Sequence, residues 1–199
     1  MAISIKASHF KNGLKFLLNG DPVMILENKF INPGKGQAFN RVKIKNLVTN
    51  CITEKKFNSN ESVLLAEIED IETIFLYYDK DYVFMNNKSY EQYYVNRKII
   101  QPYKYWIKEQ NFYTLTFFKN EVINVLVPNV INLRVSKTDP NYRGNTLSGF
   151  KEATLETGVI VRIPIFIEKD QVVKINTKTS EYICRIDTKG NNSLNEKRK

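Results

Sequence analysis

The chain has 199 residues, 42% of them hydrophobic, and a formal net charge of +9. That hydrophobic share excludes a disordered chain, and the length allows one large domain or two to three small ones. No stretch approaches the ~20 apolar residues a spanning helix needs, and the start lacks a basic segment followed by an apolar one, so the sequence reads as cytoplasmic, without membrane contact.

Residues 1–65 carry ten Lys/Arg against four Asp/Glu. Strand-length runs there cover Leu14–Leu18, Val23–Leu26 and Ala38–Val48, with a weaker one before Phe57. In Ala38–Val48, Phe39, Arg41, Lys43 and Lys45 alternate with Val42 and Ile44, so the three cations share one face. Asn19-Gly20-Asp21 predicts a tight turn, because Asn and Gly tolerate positive φ.

Residues 66–128 are acidic, with seven Lys/Arg against nine Asp/Glu. Strands are expected at Ile71–Tyr78, Tyr82–Met85, Phe112–Phe118 and Glu121–Val127, with turns at Asp79-Lys80-Asp81 and Lys119-Asn120. The run Glu67, Glu69, Asp70, Glu72 alternates with Ile68 and Ile71 as a solvated strand face does. The best helical periodicity in the chain, Ser89–Asn96, is short.

Residues 129–199 return to a basic balance, thirteen against eight. Strands are expected at Val130–Val135, Val159–Ile167, Val172–Ile175 and Tyr182–Ile186. Residues 189–199 read as a disordered basic tail. Short strands at regular spacing predict an all-β chain of small barrels or sandwiches in three parts, 1–65, 66–128 and 129–188. Basic ends around an acidic middle suit a polyanion that touches both ends. The 23 Asn and 21 Ile also fit a genome that simply favours Lys, Asn and Ile. Cys51 and Cys184 have no Cys or His neighbours at metal spacing and are expected to be buried thiols, with no metal site.

Phe30-Ile31-Asn32-Pro33-Gly34-Lys35-Gly36-Gln37-Ala38-Phe39 links two strands. Pro33 presets one φ, and Gly34 and Gly36 leave Lys35 between two positions without side chains. An ordinary solvated turn has the same residue types. The six-residue phosphate-loop spacing is absent.

The stretch Asn32–Val42, Asn-Pro-Gly-Lys-Gly-Gln-Ala-Phe-Asn-Arg-Val, closely resembles the tip segment of bacterial elongation factor P. The resemblance continues through Thr73–Tyr77, Phe84–Asn87 and Tyr90–Gln92, then Thr138–Pro140, Lys151–Gly158, Val161–Ile167 and Glu181–Arg185, spanning roughly residues 2–188. It implies an SH3-like barrel followed by two OB-fold barrels, elongated. It implies a translation elongation factor that binds both ribosomal subunits beside peptidyl-tRNA and promotes peptide-bond formation at consecutive prolines. Lys35 would position the acceptor end of the tRNA, extended by a β-lysyl-type adduct from a lysine-modifying enzyme, with Pro33, Gly34, Gly36 and Gln37 forming the tip. Arg41, Lys43 and Lys45, and Tyr182 and Arg185 of the C-terminal motif, would touch nucleic acid. Each set also fits an ordinary sheet face. The expected protein is a monomer without cofactor or catalytic residue, not an enzyme; His9 alone offers no base. Two departures stand out. The loop 144–149 is less glycine-rich than the family's loop near messenger RNA, and Lys169 and Ser180 stand where glycine is usual. A structural RNA-binding or ribosomal protein of SH3 and OB barrels would share the basic ends without needing the Pro33–Gly36 turn.

Overall fold

The computed structural model describes residues 3–33, 36–139 and 149–186. Gly34, Lys35, the segment 144–148 and the tail 189–199 lie outside the described residues. The described chain is all-β, with one four-residue helix and two 3-10 turns.

In the first barrel, Asn19 and Gly20 take φ of 53° and 91°. They turn β2 (Lys15–Leu18) directly into β3 (Asp21–Ile31), as the sequence predicts. β3 continues into β4 (Phe39–Asn46) and β5 (Ile52–Asn58), giving a four-stranded sheet in the order β2–β3–β4–β5. β1 (Ser4–Lys6) pairs with β6 (Ser62–Leu64) as a separate ribbon. The rings of Phe10, Phe16 and Phe57 meet with centroids 5.3–5.8 Å apart and fill the core with Val23, Ile25, Val42 and Ile44. The expected strand Val23–Leu26 is too short. The register steps from Ile25↔Ile44 to Glu27↔Lys43, so Leu26 is a bulge. Beyond it Glu27 and Lys29 face outward while the Asn28 amide donates to the Phe10 carbonyl at 2.9 Å, which lets polar residues extend the strand.

The second barrel has β7 (Ile68–Tyr78), β8 (Tyr82–Asn86), β9 (Gln92–Val95), β10 (Phe112–Phe118) and β11 (Glu121–Leu126). Its order is β11–β10–β7–β8–β9, with α1 (Arg97–Ile100) following the third strand. β7 serves both halves: Ile68–Ile74 pair with β10, and Thr73–Tyr78 pair with β8. The helical periodicity at Ser89–Asn96 is not a helix. Gln92–Val95 is β9, and Asn96 caps α1 by accepting the Lys98 N–H at 2.9 Å. Lys119 and Asn120 both take positive φ, closing the β10–β11 hairpin as expected.

The third barrel repeats that order with β12 (Val130–Thr138), β13 (Phe150–Leu155), β14 (Ile160–Pro164), β15 (Val172–Asn176) and β16 (Glu181–Ile186), in the order β14–β13–β12–β15–β16. Ser180 takes φ 59°, the conformation for which glycine is the easier residue; at the other departure the left-handed residue is Asp170, beside Lys169. The cysteines correct the sequence reading. Both are exposed and free. Cys51 lies at the turn into β5, and Cys184 pairs with Lys174 on the outward side of β15–β16, so neither position has a core to enter.

Among the described residues, ion pairs join the barrels at two places. The Lys15 ammonium meets the Asp70 carboxylate at 2.8 Å, and the Thr116 hydroxyl donates to the other Asp70 oxygen at 2.8 Å. Asp70 is therefore not a purely solvated residue of its acidic run. Lys108 meets Glu156 at 2.7 Å, and Glu156 also accepts the Arg134 N–H at 2.9 Å. Beside that joint Trp106, only 9% exposed, packs among Ile131, Leu133 and Leu155 of the third core although it precedes β10 in the chain.

Candidate nucleic-acid interface

β4 places Arg41, Lys43 and Lys45 on the outward side of the first sheet, opposite buried Val42 and Ile44. Register then identifies their neighbours. Arg41 stands between Lys29 and Lys56; Lys43 between Glu27 and Glu54; Lys45 between Met24 and Ile52. The outward face of β3, β4 and β5 thus holds five cations and two carboxylates, and Lys15 of β2, opposite Met24, adds a further cation to the sheet. Lys29 Nζ lies 3.0 Å from Glu27, and Arg41 Nε lies 3.4 Å from Glu54. Hydrogen bonding and charge from Lys29, with a smaller contribution from Lys43, hold the Glu27 carboxyl below the ordinary glutamate value. Of the three predicted cations, Arg41 is the one in an ion pair, with Glu54, while Lys43 stands between two carboxylates across the sheet. Lys56 lies 5.5 Å from the centroid of the Phe39 ring.

Lys29 and Lys56 were missed in the sequence. Their signal is the same two-residue alternation, Glu27-x-Lys29 and Glu54-x-Lys56. On β3 the bulge at Leu26 reverses which side of the strand that alternation occupies.

The β3–β4 hairpin is supported by β5 along its whole paired length, since Phe39 stands opposite both Ile31 and Asn58. The segment 32–38 follows, and within it Pro33, Gly36 and Gln37 are described. Gly36 takes φ 114°, and a Cβ there would lie 3.8 Å from the Pro33 ring. Glycine is the residue that enters this conformation without strain.

The C-terminal candidates lie in a different barrel. Tyr182 stands opposite buried Ile175 and packs against the third core; burial first, and Cys184 second, raise its phenol above the ordinary tyrosine value. Arg185 stands opposite Val173. Tyr182 also lines an open groove with Phe150, Ile160 and Arg162, where β14 approaches β16. Arg41, Lys43 and Lys45 form one face, while Tyr182 and Arg185 belong to another.

Three family models match the chain in order. They are described as the elongation factor P KOW-like domain (residues 6–63), the elongation factor P OB domain (68–125) and elongation factor P, C-terminal (131–185). The chain belongs to the elongation factor P family. It is an all-β translation factor of that family's three-part organisation. Solved structures similar to it include two translation initiation factor 5A proteins. Eukaryotic translation initiation factor 5A from Methanococcus jannaschii is 17% identical with a TM-score of 0.49, covering 62% of this chain and 96% of that one. A translation initiation factor 5A family protein from Naegleria fowleri is 11% identical with a TM-score of 0.45, covering 63% and 99%.

Proposed function

We propose that this elongation factor P family member binds the ribosome beside peptidyl-tRNA and promotes peptide-bond formation at consecutive prolines. Lys35 contacts the acceptor end of the tRNA, and the cations of β3, β4 and β5 contact its phosphates. The observation that best supports this reading is the three-stranded arm whose outward face has three more cations than carboxylates and whose strands lead into the segment carrying Lys35. Proline's ring fixes φ and its amine is secondary, so the nucleophile and the ester align poorly. A rigid arm that restrains the acceptor end restores alignment through proximity and orientation, which can account for many orders of magnitude in rate. The ribosome performs the chemistry and this protein supplies position. It acts as a cytoplasmic monomer, without intrinsic enzyme activity. A modifying enzyme extends Lys35 with a β-lysyl-type group; Gly36, its neighbour in the chain, has no side chain, which supports entry of a longer cationic chain into a crowded RNA cavity.

The test has two arms. Tryptic mass spectrometry of the tip peptide from the native host reads the adduct directly, and an unmodified Lys35 removes that part of the reading. The Lys35→Ala chain should fold normally yet fail to relieve stalling on a triple-proline template in a reconstituted translation system. Full relief by that variant refutes the tip mechanism.

A further inference from the structure

The segment 32–38 leaves β3 and returns into β4, and its two limbs are held differently. On the returning limb, Ser59, in the turn between β5 and β6, donates its hydroxyl to the Ala38 carbonyl at 3.0 Å. The Ser59 N–H donates to the same oxygen at 3.3 Å. On the outgoing limb, Ile31 pairs with Phe39, and Asn32 and Pro33 beyond it make no hydrogen bond among the described residues.

Ser59 is itself fixed in place. Its carbonyl accepts the Ser8 N–H at 3.3 Å, and the adjoining Ala7 N–H donates to the Glu61 carbonyl at 2.8 Å. The Glu61 carboxylate braces the same turn by accepting the Asn58 N–H at 3.3 Å. The Ala7 carbonyl accepts the amide of Asn40, which is 2% exposed and follows Phe39 in β4. These contacts close a circuit that runs from Ala38 through Ser59 and the 3-10 turn Ala7–His9 back to Asn40. A buried amide that loses its partner bears the cost of its own desolvation, so the circuit resists opening at Asn40. At its other end the Ser59 hydroxyl shares a carbonyl that the Ser59 N–H already satisfies. Removing that hydroxyl strands no acceptor; it loosens the hold on Ala38 alone.

We propose that Ser59 is a positioning residue for Lys35. Its hydroxyl pins the Ala38 end of the segment, so that the lysine, which precedes Ala38 in the same short segment, is presented to the acceptor end in one direction. Ser59 touches neither tRNA nor ribosome; it acts through Ala38. Small losses of alignment are costly where a factor works by orientation, which is why one neutral hydrogen bond matters here more than in an ordinary turn. This inference deepens the proposed tip mechanism and rests on it.

The experiment compares the full-length wild type, Ser59→Ala, Ser59→Thr and Lys35→Ala, purified from the native host. Except in Lys35→Ala, position 35 is checked by mass spectrometry to be in the same state in each. The rate of peptide-bond formation on a triple-proline template is measured in a reconstituted translation system as a function of factor concentration. Ser59→Ala should lower the rate at saturating factor by about twofold to tenfold, the range for one neutral hydrogen bond. Its half-saturating concentration should stay at the wild-type value, because the cations of β3, β4 and β5 are untouched. Ser59→Thr keeps the hydroxyl and should restore the rate. Melting temperatures of both variants well above the assay temperature confirm folding. An undiminished saturating rate in Ser59→Ala, a change confined to the half-saturating concentration, or a loss that Ser59→Thr does not restore overturns the role of Ser59. With Lys35→Ala inactive, each of those results leaves the tip mechanism standing. Full activity of Lys35→Ala overturns both.

Discussion

The two carboxylates on the arm offer the sharpest test of its role. Glu27 and Glu54 flank Lys43 and pair with Lys29 and Arg41, so the outward face of β3, β4 and β5 has five cations against two acids. Replacing both, Glu27→Gln with Glu54→Gln, raises its local net charge from +3 to +5 without touching a cation. If each released cation takes up one phosphate, the slope of log affinity against log salt steepens by about 1.4–1.8. Between about 50 and about 200 mM salt that is an additional loss of roughly tenfold, with a corresponding gain of affinity at the low-salt end. Fluorescence anisotropy with a labelled purified tRNA across a potassium chloride series reads both quantities. Glu121→Gln, on β11 of the second barrel, serves as the control and should leave the slope where it was. An unchanged or shallower slope in the double variant would mean that nucleic acid does not contact this face, and the assignment of Arg41, Lys43, Lys45, Lys29 and Lys56 to phosphates would fail.

Two further outcomes follow from the joints between barrels. Trp106→Ala should cost about 3–5 kcal/mol, the range for emptying a buried aromatic site, even though the residue precedes β10; denaturant unfolding followed by far-UV circular dichroism checks it, and a cost below about 1 kcal/mol would contradict its place in the third core. Partial burial acts to raise the Asp70 carboxyl, but Lys15 and Thr116 outweigh it and hold the carboxyl below the ordinary aspartate value. A depressed folded value stabilises above the unfolded value near 3.9 and is lost as pH falls through the folded one. The melting-temperature gap between wild type and Asp70→Asn should therefore be constant from pH 7 to about 5 and close below about 4, with an effect limited to about 1 kcal/mol by solvent exposure. A gap that persists at pH 2 would show that Asp70 acts through packing instead.

Much of this architecture was legible because the strands alternate cleanly. Phe112–Phe118 appears with its expected bounds, and the turns at Asn19-Gly20 and Lys119-Asn120 use residues that tolerate positive φ. What the sequence hid came from register and from contacts distant in the chain. The bulge at Leu26 turns Glu27 and Lys29 outward, so a period-two reading ended the strand five residues early. Trp106 lies in a 3-10 turn that local periodicity cannot assign to a neighbouring barrel. Cys184 was expected inside on residue type alone, whereas its pairing with Lys174 puts it outside. The cations of β4 were visible singly; their neighbours across β3 and β5, which decide how much charge each one offers, were not.

The same register explains how the arm can hold a side chain at its end. A two-stranded hairpin standing alone is marginally stable and would sample many directions. Here β5 accompanies β4 as far as Asn58 opposite Phe39. Just beyond, the Ser59 backbone and hydroxyl both donate to the Ala38 carbonyl, at 3.3 and 3.0 Å. On the inner side the buried Asn40 amide donates to the Ala7 carbonyl, joining the far end of β4 to the 3-10 turn after β1. Opening the paired part of the arm therefore requires breaking a third strand and a buried polar contact together. Local opening free energy is lowest where such contacts are fewest. Under the proposed function, the paired strands act as a lever of fixed direction for the segment that carries Lys35.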